Sequence, residues 1–174
     1  MTAAHNWLLN WKTDCALFLD QLFAELKTKN IDVEAFELDH VCLRVETVDE
    51  YNRAKNYFAS IGLLLSDAMV NGRPISTFKL LEPLTYNDRS IFLIEIPSPK
   101  ASKPYSTGFE HAEFVIDKNF KDFSSQYPGI AFDFSGARKS LNAELSLPLT
   151  PQLAVKFHQQ SLERVIEIEN EAPV

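Results

Sequence analysis

The sequence has little of what marks a specialised protein class. Two cysteines, Cys15 and Cys42, stand in 174 residues, with no disulfide framework and no CxxC metal knuckle, so a reducing cytoplasm is expected. Basic residues are in deficit: 17 Lys and Arg against 24 Asp and Glu leave a formal net charge of −7. Sequence-independent nucleic-acid binding and adsorption to anionic membranes both need clustered cations, so neither partner is expected. The opening residues, MTAAHNWLLNWKTD, carry neither a basic n-region nor a sustained apolar run. That excludes a signal peptide and a membrane span from the expectations. No GxGxxG or Walker loop offers a phosphate cradle, and GxSxG and HExxH are missing too. What remains, 45% hydrophobic and 24% charged residues, is the composition of an ordinary globular chain long enough for one domain or two closely packed units.

Residues 6–29 read as an amphipathic helix, with Leu8, Trp11, Cys15, Phe18, Leu19, Leu22, Phe23 and Leu26 at spacings of three and four. Asn30 marks its end. ELDHVCLRV then alternates as a strand, with Leu38, His40, Cys42 and Arg44 on one face and Val41, Leu43 and Val45 on the other. A helix follows over VDEYNRAKNYFASIG, with Gly62 as its C-cap, then strands in LLLSDAMV, ISTFKLLE and RSIFLIEIP. NGRP at 71–74 is a hairpin turn and residues 82–88 a longer loop. After a proline-rich linker at 97–106 the order recurs. GFEHAEFVI is a strand, DKNFKDFSSQYPG a helix, and IAFDFSGARKS, QLAVKFHQQ and RVIEIENE three more strands.

This order predicts an internal duplication. His40 and His111 open the two halves 71 residues apart, and Glu95 and Glu167 close them 72 apart. The interval from His to Glu is 55 residues in the first half and 56 in the second. Two imidazoles and two carboxylates at repeated positions make a ligand set for a borderline divalent ion.

On these residues the chain resembles the vicinal oxygen chelate superfamily, which includes glyoxalase I, methylmalonyl-CoA epimerase and the extradiol dioxygenases. ELDHVCLRVET, GFEHAEFVI and ERVIEIE, with the extra N-terminal helix, look more narrowly like the YecM family. The resemblance implies an α+β fold in which two paired βαβββ modules form a cupped mixed sheet. The expected organisation is a helical extension over 1–36, a first module over 37–100 and a second over 101–174, together one compact domain. It also implies metal ligands at His40, Glu95, His111 and Glu167, with Glu167 the catalytic base by likeness to glyoxalase I. The metal would be Ni, Co, Fe, Mn or Zn.

Strand parity adds Arg44, Glu113 and Glu169 as groups that touch substrate or support the ligands. Arg73, Arg138 and Lys139 lie at turns, where solvated charge is the simpler reading. His158 has Leu81 as its counterpart in the first half, so the duplication gives it no support. Cys42 reads as a packed strand thiol, and His5 has no role assigned. The function expected is a metal-dependent lyase or isomerase of glyoxalase or epimerase type acting on a small oxygen-rich substrate. Two alternatives stand beside it: an extradiol-type dioxygenase, and a non-catalytic ligand-binding relative with a pocket lined by aromatics such as Phe114, Phe132 and Phe134. A homodimer is left open, and so is the question whether the four residues bind metal or form an ion-pair network.

Overall fold

The computed structural model describes residues 7–100 and 104–171. His5 and residues 101–103 of the expected linker lie outside the described residues. Helix α1 (Trp7–Thr28) buries the stripe read from the sequence, from Leu8 and Trp11 through Cys15, Leu19, Leu22 and Leu26. It stops because Asn30 takes the left-handed conformation, φ 55°. That lets Ile31 N–H bond back to the Leu26 carbonyl at 2.9 Å and closes the last turn.

Seven strands then form one mixed sheet in the order β2-β3-β4-β1-β5-β7-β6. They are β1 (Glu37–Arg44), β2 (Gly62–Val70), β3 (Arg73–Tyr86), β4 (Arg89–Pro97), β5 (Gly108–Val115), β6 (Glu144–Thr150) and β7 (Leu153–His158). The sheet is two similar halves. In each, the opening strand runs parallel to the closing one, β1 with β4 and β5 with β7. The halves join where β1 and β5 pair antiparallel. This is the α+β class with an N-terminal helix that the sequence implied. Helices α2 (Val48–Ile61) and α3 (Phe120–Ser125) follow the opening strands. With α1 they supply the apolar core, in which Phe58, Phe78, Phe114, Phe123 and Phe157 are fully buried. The second face of the sheet is polar, and helix α4 (Leu162–Glu171) lies over it. Leu162 and Ile166 of α4 make a separate small cluster with Leu93 of β4.

Four local expectations are corrected. Residues 82–88 are no free loop, since β3 continues to Tyr86 through an irregularity opposite β4. Gly62 ends α2 without a left-handed turn: its φ is −157°, and it starts β2 at once. It must be glycine because a Cβ there would sit 2.8 Å from the Lys79 carbonyl oxygen. Residues 130–139 give one isolated bridge, Asp133 to Ser146, and a 3-10 helix (Ser135–Arg138). Turn chemistry wins there, because Asp133 accepts from the Ser135 amide (2.8 Å) and its hydroxyl (3.0 Å). The strand of that module is instead β6, over ELSLPLT.

The largest correction concerns RVIEIENE, which is helix α4 and not a closing strand. Ser161 caps it, its hydroxyl accepting from Arg164 N–H (3.3 Å) and its carbonyl from Val165 N–H (3.0 Å). Leu162, Val165 and Ile166 then bury one helical face. The closing strand of the second half is therefore β7. In the register, Glu95 lies beside Cys42 in the first half, while Lys156 lies beside Glu113 in the second. Lys156, not Glu167, occupies the position that answers to Glu95.

Candidate metal centre

The centre is built by two β-bulges at the junction of the halves. Leu38 pairs with Phe114 and His40 with Glu113, so Asp39 is an extra residue in β1. Cys42 pairs with His111 and Leu43 with Phe109, so Glu110 is an extra residue in β5. A bulge shifts the alternation by one residue and re-aims the side chains on either side. For that reason Leu38 joins the apolar core with Val41 and Leu43, and not the face of His40, as strict alternation predicted. Each bulge also brings an acidic side chain to the histidine that follows it. His40 Nδ1–H donates to Asp39 Oδ2 at 2.7 Å, and His111 Nδ1–H donates to Glu110 Oε2. A carboxylate only accepts, so each ring carries its proton on Nδ1 and turns Nε2 inward.

Both Nε2 atoms converge on Glu113. His111 Nε2 lies 3.0 Å and His40 Nε2 3.4 Å from Glu113 Oε1, yet neither nitrogen makes a directed hydrogen bond, and Glu113 Oε2 has no partner either. His40, His111 and Glu113 are all buried, at 1%, 5% and 3% exposure. Their donor atoms lie close enough together to share one cation. Lys156 Nζ sits 3.0 Å from Glu113 Oε1 and 3.4 Å from Glu144 Oε2. His158, which the duplication did not support, belongs to the same cluster. Its Nε2 is 3.6 Å from Asp39 Oδ2 and 4.0 Å from Glu113 Oε2, and among the described residues neither ring nitrogen is hydrogen-bonded.

The electrostatics follow from this crowding of carboxylates. Burial alone would discharge His40, but Glu113 and the Asp39 hydrogen bond outweigh it and push its pKa up to about 10. Burial and the Lys156 ammonium act the same way on His111, and the neighbouring Cys42 and Glu110 hold its proton well above the usual range. Burial would raise Glu113, whereas Lys156 and the two imidazoles hold it well below the usual carboxylate range. His158 goes down, by burial and by the charges on His40 and Lys156, against the pull of Glu113 and Asp39. Without a metal, then, protons on two imidazoles supply the positive charge that the carboxylates demand.

A cavity of about 360 Å³ opens beside the cluster, between the sheet and α4. Of the residues expected at the site, Arg44, Glu95, His111, Glu113 and Glu169 line it, as do Cys42, Arg73 and Lys139, while His40 lies behind. Glu167 is not among them. It sits on the outer side of α4 with its side chain 53% exposed, taken by Arg164 Nη1 at 2.9 Å. The aromatics considered for an apolar pocket do not line the cavity: Phe114 and Phe132 pack in the core and Phe134 is exposed.

The sequence model of the YecM family matches residues 8–169. The chain belongs to the YecM family. Its similarity to Protein YecM of Escherichia coli is 28% identity, over 96% of this chain and 99% of that one. An uncharacterized protein of Haemophilus influenzae is 34% identical over 67% of this chain and 61% of its own length. Among solved structures, one described as structural genomics protein EC4020 superposes with a TM-score of 0.76 at 27% identity, covering 94% of this chain and 93% of that one. The family membership agrees with the resemblance to the YecM family seen in the sequence, and the first half of the sheet is the βαβββ module that it implied, while the second half has two strands after its helix, β6 and β7, where three were implied. It brings no reaction with it.

The sequence signal for the Asp39 and Glu110 carboxylates is short. An acidic residue precedes each repeated histidine, Asp39 before His40 and Glu110 before His111. The acidic residues repeat at the same 71-residue spacing as the histidines, which marks them as part of the duplicated site. No described helix is long and apolar enough to cross a membrane.

Proposed function

We propose that this protein holds a divalent metal ion between His40, His111 and Glu113 and acts as a lyase or isomerase of glyoxalase or epimerase type on a small oxygen-rich molecule. The observation that carries the reading is the pair of buried Nε2 atoms, both without a hydrogen bond, each presented by a ring whose Nδ1–H is held by the preceding carboxylate. That is how a neutral imidazole is prepared to ligate. Bound there, Ni, Co, Fe, Mn or Zn supplies Lewis acidity toward a carbonyl or a pair of adjacent oxygens.

The chain's own residues do the rest. Asp39 and Glu110 fix the tautomer and plane of the two imidazoles. Glu95, on the cavity wall beside Cys42, is the carboxylate available to add a ligand oxygen or to take a carbon-bound proton. Lys156 balances the surplus of carboxylate charge, and Leu162, Val165 and Ile166 of α4 keep water from the cavity roof. Glu167, half exposed and paired with Arg164, is left out of the ligand set. Cys15 and Cys42, both buried and unpaired, favour a reducing compartment, the cytoplasm.

Elemental analysis of tag-free protein purified without chelator, followed by calorimetry of the metal-free form, tests the proposal. Near-stoichiometric metal is expected, with affinity lost in His111→Ala and unchanged in Glu167→Ala. Metal affinity that survives in His111→Ala would refute the ligand assignment.

Two histidines and one carboxylate also make the facial triad of non-haem iron oxygenases, which favours an extradiol-type dioxygenase as the second reading. The cavity wall speaks against it, because its five Lys and Arg and five Glu suit a polar molecule better than a catechol ring. Iron-dependent oxygen uptake with a catechol would reverse that order. The charged wall also disfavours the non-catalytic reading, which calls for an apolar pocket.

A further inference from the structure

The side of the cavity away from the histidines is organised by a single tyrosine. Arg44 sits on β1 two residues beyond Cys42, and Cys42 pairs with His111. The Arg44 guanidinium lies over the Tyr105 ring at 4.9 Å, and its Nη2 is 2.9 Å from Glu110 Oε1. Its Nε, although buried, has no hydrogen-bond partner among the described residues. Arg73, from the turn end of β3, donates from Nη1 to the Tyr105 hydroxyl at 2.9 Å and to the Ser98 carbonyl at 2.7 Å. Tyr105 therefore holds both guanidinium groups, one by its face and one by its oxygen, and both arginines line the cavity.

Three features define what this end receives. A buried Arg Nε–H without an acceptor is a donor waiting for one, since leaving it unpaired costs its desolvation. A guanidinium fixed by stacking has already lost the rotamer freedom that binding would otherwise remove. The charge count sets the sign: the described residues lining the cavity balance, five Lys and Arg against five Glu, and Asp39 behind His40 adds one negative charge, so a divalent ion leaves the site positive and suited to an anion. Two strand residues, roughly 7 Å, separate the level of Arg44 from that of His111.

We infer that the ligand of this cavity is a small dianionic acid, whose adjacent oxygens face His40, His111 and Glu113 and whose second carboxylate is taken by Arg44 and Arg73. This substrate class rests on the metal reading above. The carboxylate accepts from the Arg44 Nε–H and from the outer face of Arg73, and Tyr105 is the positioning residue for both.

The test is calorimetry of Mn(II)-loaded protein titrated with L-malate, which has a hydroxy-acid end and a second carboxylate. Glycolate, which has the first end only, and inorganic phosphate are run beside it. Malate is expected to bind about tenfold or more tighter than glycolate, the worth of one charge-assisted contact. That preference disappears in Arg44→Gln and Arg73→Gln. Arg44→Gln also frees Glu110, which holds His111, so Arg73→Gln is the cleaner variant. If malate binds no tighter than glycolate, or keeps its preference in both variants, the clamp is refuted while metal binding stands. Phosphate binding tighter than malate and lost in Arg73→Gln would overturn the carboxylate as ligand. If no metal binds, yet metal-free protein takes malate in an Arg73-dependent way, the metal reading fails and the clamp is supported.

Discussion

Lys156→Met should change stability and metal affinity in opposite directions. Lys156 Nζ is 3.0 Å from Glu113 Oε1, with the Lys156 side chain 21% and the Glu113 side chain 4% exposed. At that distance and an effective dielectric near 20, the attraction is about 5 kcal/mol before desolvation. Desolvation cancels part of it; removing one partner of a buried pair costs about 3 kcal/mol where the other charge is left bare, which is an upper bound here because His40 and His111 still face Glu113. Methionine keeps most of the volume, so packing adds little. Metal-free Lys156→Met should therefore unfold at lower urea, by at most about 3 kcal/mol given those imidazoles and the partial exposure of Lys156. The same ammonium repels a divalent ion that shares Glu113 with it. Its removal should tighten metal binding at least tenfold, about 1.4 kcal/mol. Urea unfolding followed by circular dichroism in chelator, and calorimetry with Mn(II) or Ni(II), read the two effects separately. Weaker metal binding in the variant would mean that Lys156 supports the ion's site and would refute the reasoning. Unchanged metal-free stability would show that Lys156 does not hold Glu113.

Further predictions concern pH, the Asp39 anchor and Gly62. In the metal-free protein His40 titrates near 10, above its unfolded value near 6.5. Its contribution is therefore complete below pH 6.5 and is lost as pH rises toward 10, so urea midpoints in chelator should fall over that window by at least about 1 kcal/mol in stability; a flat profile would contradict a charged His40. For the same reason metal binding near pH 7 should release protons, visible as a calorimetric enthalpy that changes with buffer. Asp39→Ala removes the acceptor of both His40 Nδ1–H and the Leu162 amide at 3.0 Å. Metal affinity should drop by about 10- to 100-fold and the Leu162 amide should exchange faster with solvent; unchanged exchange would mean that Asp39 does not anchor α4. Gly62→Ala places a Cβ 2.8 Å from the Lys79 carbonyl and should cost about 1–2 kcal/mol with metal affinity intact. A melting temperature equal to wild type would show that the backbone yields there.

Most of the first half of the fold was legible, residues 82–88 and the Gly62 cap excepted, because its apolar spacings are clear and its hairpin turn carries specific chemistry. Asn71 and Gly72 both take positive φ, 51° and 78°, in the hairpin that NGRP announced. The second half is ambiguous where short apolar runs fit two periods. In RVIEIENE, alternation puts Val165 and Glu167 on one face and Ile166 and Ile168 on the other, while a 3.6-residue period groups Leu162, Val165 and Ile166. The serine before Leu162 settles the choice, since a strand has no use for a cap. Alternation in RVIEIENE makes the near-equal His-to-Glu intervals a coincidence and hides Lys156, which stands at the position that answers to Glu95.

The candidate site shows what sequence periodicity can and cannot carry. His40 and His111 were recognisable because they repeat, and Glu113 because it shares the face of His111. Asp39 and Glu110 were not, because a strict two-residue period sends them to the opposite side of the sheet, into the core. Only a bulge brings them back. The duplication still held the clue. An acidic side chain aimed into an apolar core is costly enough that a single one already argues against regular alternation. Two at the same place in both halves, each one residue before a histidine, say that the strand is irregular there and that the irregularity belongs to the site. The bulges that blur the strand pattern are what set both imidazoles, so the least regular residues of β1 and β5 are the ones that build the centre.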